Sequence, residues 1–247
     1  MALAAAIAVA CAWGAQAQPK DPRDLSGIWM NDNTLDERMK REGRKRMTAA
    51  ELAAERPQPT TRPLTPAYEA IYKEREAARK KLADGAEACS WPGMPGILTY
   101  PYPFEVLHTP GRITFVYEAE SQVRRIWLNR DKHLPDEDLD PSYNGDSIGR
   151  WDGDVLVIDT IGFNDKTTAW GLPHSEKMHV VERIRWVDED TIENEVTITD
   201  PEAWTAPQTR KVVYSKRPDW RIREYSCMEN NRDAPDAKGQ RSKGLVR

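Results

Sequence analysis

The chain is short of the residues that most often announce chemistry. Of its 247 residues only three are Cys and four are His. Cys11 falls in the Ala-rich opening segment, which leaves Cys89 and Cys227. Neither has a second Cys or His at ligand spacing, which argues against a zinc site there. There is no HExxH pair and no P-loop, which closes the familiar motif routes to a zinc protease or a nucleotide hydrolase; Gly145-Asp-Ser-Ile-Gly149 has the letters of a serine-hydrolase signature, but Ser147 falls inside an expected strand and not on the sharp turn of a nucleophile elbow. The net charge is only −4, with both signs interspersed. No Lys/Arg-rich run alternates with aromatics, and this excludes nucleic acid as an expected partner. Internal repeats and low-complexity tracts are also missing. Phe is nearly absent, three against nine Trp and eight Tyr. Amphipathic rings of that kind suit strands that meet ligand or solvent with one edge.

What is present begins with a leader. Residues 1–18 are apolar and Ala-rich and end in Ala15-Gln16-Ala17, an A-x-A cleavage signature, although the usual basic start is missing. Residues 1–17 are therefore expected to be a signal peptide, and the product periplasmic or secreted. No integral membrane span is expected after its removal. In an oxidising compartment Cys89 and Cys227 most simply pair; the alternative is two separate buried thiols.

The remainder reads as one β domain over residues 18–230 with a polar tail at 231–247. Ser26–Met30 looks like a first strand. A helical insertion follows at about residues 47–84. Thr48-Ala-Ala-Glu51 fits a capping box, and Thr65-Pro66 opens a second helix with Thr as cap and Pro at the first helical position. Tyr68, Ile71, Tyr72 and Leu82 share its stripe, and Gly85 is a suitable stop. After Cys89 the period changes to two. Candidate strands are Phe104–Thr109, Arg112–Ala119, Gln122–Leu128, Ser147–Trp151, Asp154–Ile161, Met178–Val187, Thr191–Thr199, Arg210–Lys216 and Trp220–Cys227. The expected fold is mainly β: an antiparallel up-and-down barrel of about ten strands, since closing a meander removes its exposed edges.

Asp152-Gly153 between alternating apolar runs signals a tight hairpin. A two-residue turn there sets Asp146 opposite Asp159, two carboxylates that need a cation, a shared proton or an arginine between them. A Glu120-Ser121 turn likewise pairs Phe115 with Ile126 and Val116 with Arg125, and brings Glu118 within reach of Arg125.

Two resemblances follow from these residues. Gly27-Ile28-Trp29 on a first strand, with Arg221 or Arg223 on a last strand, resembles the Trp-on-Arg closure of lipocalin-like (calycin) barrels. The stretch from Cys89-x-x-Pro-Gly through Gly145-Asp-Ser-Ile-Gly-x-Trp-x-Gly-Asp-x-Leu-Val to Tyr225-x-Cys-x-Glu229 is similar to a large family of exported bacterial proteins of unassigned function. Members often carry His after the second Cys and Gly-Asn after the Glu; here Met228 and Asn230 stand in those places. The resemblance implies export and this fold, and no reaction.

Candidate chemistry concentrates on a few side chains. In Met178–Val187, Val180, Glu182, Ile184 and Trp186 share one face, so Glu182 sits in an apolar stripe and must be paired, protonated or turned to a wet cavity. His108 alternates with Phe104 and Val106, and His174 lies in the long loop 164–177; each is either a general base or a satisfied hydrogen-bonding His. Asp146 or Asp159 is a candidate acid. Ser147 lies inside a strand and lacks the sharp turn a nucleophile needs. His174 with His179 lacks a third metal ligand in sequence, and Asp136, Asp138 and Asp140 have calcium-like spacing without the rest of an EF-hand.

The catalytic candidates are thus His108, Asp159, His174 and Glu182; the ligand-binding candidates are Glu118, Arg125, Glu182 and Trp186; Trp29, Cys89, Cys227 and Arg223 are expected to be structural. No metal and no cofactor is expected. The expected function is binding of a small, partly aromatic molecule in the barrel. The alternatives are a cofactor-independent lyase, isomerase or hydrolase, and an envelope interaction protein with a packed barrel.

Overall fold

The computed structural model describes residues 21–31, 62–81 and 91–227. The leader, the helix expected at 48–56, Gly85, Cys89 and the tail lie outside them. The described chain forms a closed barrel of nine strands whose order around the barrel is the order in the chain. The strands are β1 (Gly27–Asn31), β2 (Phe104–Thr109), β3 (Arg112–Tyr117), β4 (Val123–Trp127), β5 (Asp146–Asp152), β6 (Val155–Ile161), β7 (His179–Trp186), β8 (Thr191–Thr199) and β9 (Gln208–Lys216). Alternation sends every second side chain inward. Phe104, Val106, Ile113, Phe115, Ile126, Leu156, Ile158, Val180, Ile184, Ile192, Val196 and Val212 make the core.

Three expectations about the barrel are corrected. The tenth strand is absent: residues 221–224 are irregular, Tyr225 makes one parallel bridge to Ala119, and β9 closes directly on β1. The barrel is also not purely antiparallel, because β4 and β5 run parallel. Parallel neighbours cannot be joined by a hairpin and need a long crossover. Here the crossover is the connection 128–145, which carries Arg130 and His133.

The third correction concerns register. The β5–β6 turn is Gly153-Asp154, so Asp152 pairs Val155 and Ile148 pairs Asp159. Of the two turn residues only Gly153 takes a positive φ, 62°. A turn with Gly first asks for one such residue, whereas Asp152-Gly153 would need positive φ at both. At β3–β4 the Glu120-Ser121 turn forms, with both residues at positive φ and Gln122 N–H donating to the Ala119 carbonyl. Glu118 and Ala119, however, bulge out of the ladder; the Glu118 N–H donates to Pro103 O. The pairing slips by two, so Phe115 faces Arg124 and Thr114 faces Arg125.

Helix α1 (Pro66–Lys81) seats Tyr68 and Tyr72 against the core. The Thr65 hydroxyl does not cap it; it donates to Glu202 O, while Thr65 N–H donates to Ala203 O. The helix is thereby tied to the β8–β9 connection. At the β1 end of the barrel Trp29 is fully buried, its Nε1–H donating to Leu25 O, and its ring lies 5.2 Å from that of Trp186. The cation over Trp29 is Lys216 from the end of β9, not Arg221 or Arg223. The Lys216 ammonium stands 5.6 Å from the Trp29 ring and 5.5 Å from the Trp186 ring.

Candidate functional site

The period-two pattern of β7 does place Glu182 inside the barrel. Its partner is Arg124, not Arg125, which is exposed. Arg124 shares the inward face of β4 with Ile126, and this parity was the available signal. Both side chains of the pair are 1% exposed, with Arg124 Nη2 2.5 Å from Glu182 Oε2. Asn194 Nδ2 donates to the other carboxylate oxygen at 2.7 Å. The guanidinium also donates to Ser147 Oγ at 3.2 Å and Thr160 Oγ1 at 3.0 Å. Burial alone would lower the Arg124 pKa; the Glu182 charge and hydrogen bond outweigh it and hold the guanidinium protonated. Ser147 is thus an interior hydrogen-bonding group. The Tyr117 hydroxyl, also buried here, interacts with the Arg124 guanidinium.

A second polar cluster forms on the outer face, where Asp146, Asp159 and His179 project from β5, β6 and β7. The slipped register makes the two aspartates diagonal neighbours. The groups between them come from the crossover. His133 Nδ1 is 2.9 Å from Asp146 Oδ2, and its Nε2 is 2.9 Å from Asp159 Oδ1. His179 Nε2 is 2.8 Å from the same Asp159 oxygen. Arg130 Nη2 donates to Asp146 Oδ1 at 2.5 Å. Burial would raise the pKa of each aspartate, but the hydrogen bonds reverse this. Arg130 and His133 hold Asp146 below the ordinary carboxylate range, and His179 and His133 do the same for Asp159. Neither is poised as an acid. His133 did not stand out in the sequence because its loop offers no periodicity.

The two histidines singled out by sequence occupy separate places. His174 is buried, with Nε2 3.0 Å from Thr167 Oγ1 and Nδ1 3.1 Å from Ser175 O. Beside it, Asp200 accepts from the Ser175 N–H and Oγ–H and from the Glu202 and Ala203 N–H groups. The Ser175 hydroxyl therefore points to the carboxylate, not to an imidazole, so His174, Ser175 and Asp200 are not wired as a nucleophile triad. Burial pushes the His174 pKa down. His108 sits at the barrel end, where Nε2 accepts from the Leu25 N–H at 3.4 Å, and burial lowers its pKa as well. No hydrogen bond described joins any two of His108, Asp159, His174 and Glu182.

The remaining ligand candidate, Glu118, faces the outside. The segment after β9 crosses the outer face toward the β3–β4 turn, with Arg223 N–H donating to Glu118 Oε2 and Cys227 N–H to Glu120 Oε1. Under it lies a cleft of about 740 Å3 lined by Pro103, Glu118, Asp219, Trp220, Arg221 and Arg223. Trp220 is 45% exposed there. Trp186 packs on Trp29 and lines no part of this cleft. Among the described residues no helix is long and apolar enough to cross a membrane. The chain matches no protein-family model and no curated protein.

Proposed function

We propose that the protein is an exported small-molecule-binding barrel, a member of the family its motifs resemble, and that its ligand seats in the outer cleft at Trp220. The observation that carries this reading is the cleft itself. About 740 Å3 lies within the usual range for sites that hold one small molecule. Its walls combine an exposed indole, two arginines and two carboxylates. Neither the Arg221 nor the Arg223 guanidinium has a side-chain partner among the described residues. The guanidinium over the Trp220 ring is that of Arg217, 5.6 Å from its centroid, while Arg221 and Arg223 line the same cleft; an exposed indole with planar guanidinium groups in one cleft suits an aromatic molecule bearing a carboxylate. Glu118 and Asp219 would take its hydroxyl or amino groups.

Calorimetric titration with benzoate and indole-acetate tests this. Binding should weaken at least tenfold in Trp220→Ala and in Arg223→Ala, with the melting temperature unchanged. Equal binding by wild type and both variants would sink it.

A further inference from the structure

We propose that the outer face of β2–β5 docks on a bilayer surface carrying anionic phospholipid headgroups, independently of the cleft. The face follows from strand parity. Side chains that alternate with the interior Val106, Ile113, Ile126 and Gly149 point outward. Register sets them in rows across neighbouring strands. Leu107, Thr114 and Arg125 form one row, and Arg112, Trp127 and Ile148 form the next. Arg150 follows Ile148 on the same side of β5.

Three guanidinium groups stand on this face without an anion. Arg125 and Arg150 are exposed, and Arg112 is half-buried. Among the described residues none of the three is ion-paired or donates a side-chain hydrogen bond. Neighbouring arginines are all matched: Arg124 holds Glu182, Arg130 holds Asp146, Arg183 holds Asp152 and Arg185 holds Glu193. That accounts for two of the three outward carboxylates of β2–β5. The third, Glu105, lies opposite Val116, two strands away from Arg125. The acidic loop Asp136–Asp140 lies elsewhere, with Leu139 against Gly162 beyond the end of β6. The chain as a whole carries a net charge of −4, so this face is a local exception, and an anionic surface would orient the molecule by it.

Between its charges the face is apolar. Leu107 is 41% exposed. The Trp127 ring has the Arg112 guanidinium at 5.6 Å and that of Arg130 at 5.5 Å. An indole, an exposed Leu and basic groups on one strand face match the headgroup layer. Rings sit at that interface, apolar side chains reach the acyl boundary, and basic groups meet lipid phosphate. A guanidinium can take two phosphate oxygens at once. An acidic protein would need a carboxylate fixed opposite each arginine, whereas headgroups diffuse to them.

The test is co-sedimentation of the full chain with vesicles, comparing phosphatidylcholine alone with a mixture containing about one-third phosphatidylglycerol. At low salt the protein should partition at least about tenfold more strongly onto the anionic vesicles, and salt near 0.5 M should remove that preference. Arg112→Gln, Arg125→Gln and Arg150→Gln should each weaken binding about fivefold, and the triple variant should show no preference. Leu107→Ser should also weaken it, whereas Arg185→Gln, which removes an ion-paired arginine of β7, should leave it unchanged. Equal partitioning onto the two kinds of vesicle overturns the proposal, as does a preference that survives in the triple variant. Binding to heparin or to an acidic peptide without binding to vesicles assigns the face to another polyanion and equally overturns it. Should the triple variant fail to fold, the exposed positions decide: full preference in both Arg125→Gln and Arg150→Gln overturns it.

Discussion

Arg124 and Glu182 meet 2.5 Å apart inside the barrel, each 1% exposed. Removing one partner leaves a buried charge uncompensated. Arg124→Met or Glu182→Leu alone should destabilise by about 3–5 kcal/mol. Replacing both, Arg124→Met with Glu182→Leu, should cost less than the sum of the singles, because no orphaned charge remains. Urea denaturation of the four proteins checks this. Additive losses would mean that the two side chains do not act as a pair.

Trp29 should be the largest single contributor at the barrel end. Trp29→Ala removes a fully buried indole and should cost about 3–5 kcal/mol. Lys216→Gln, which keeps much of the stem but loses the cation over Trp29 and Trp186, should cost about 0.5–2 kcal/mol. Arg221→Gln should cost nothing measurable. A loss in Arg221→Gln equal to that in Lys216→Gln would restore the arginine closure that the calycin resemblance implied.

Gly149 shows how tightly the interior is filled. A Cβ there would come within 2.6 Å of Ile126 Cγ2 and 3.0 Å of Leu128 Cδ2. Gly149→Ala should therefore destabilise by about 1–3 kcal/mol through overpacking. A melting temperature equal to wild type would show that the β4–β5 seam has room to yield.

The pH response should carry the sign of a buried neutral histidine. Burial lowers the folded-state pKa of His174 below its ordinary value of 6.5. The unfolded chain then takes up the proton first. The His174 contribution is complete above the unfolded value and is lost as the pH falls from there through the folded value. His179, raised by its hydrogen bond to Asp159, acts in the opposite sense: its contribution is present below the ordinary value and lost as the pH rises through the folded one. Comparing melting curves of wild type and His174→Asn from neutral to about pH 5 isolates the His174 part. The variant should lose less stability on acidification than wild type. Parallel curves would remove His174 from the acid response.

A bridge between Cys89 and Cys227 is the further expectation from export. Thiol titration of the unfolded, unreduced protein should find neither cysteine free. Reduction should cost roughly 4–5 kcal/mol on the chain-entropy account for so long a loop. Two titratable thiols would reject the bridge.

Local regularity accounts for what was legible in the sequence alone. β2 and β8 have the expected bounds, and the alternation along β7 put Glu182 on the inward face with Val180 and Ile184. A period of two is written in consecutive residues and needs no partner to be seen. Register needed the fold. A bulge at Glu118 and a turn that begins at Gly153 each moved a ladder by two residues, keeping every side chain on its face but changing whom it meets. Arg124 thus became the interior arginine by parity, while its bond to Glu182 crosses from β4 to β7, a relation no spacing records. His133 is the clearest case. Nothing in Lys132-His133-Leu134-Pro135 marks it, and only the parallel β4–β5 crossover, laid over the outer face, brings it between Asp146 and Asp159. Alternation follows from backbone geometry within a strand; the company a side chain keeps follows from closure of the barrel, and that is decided by the whole chain at once.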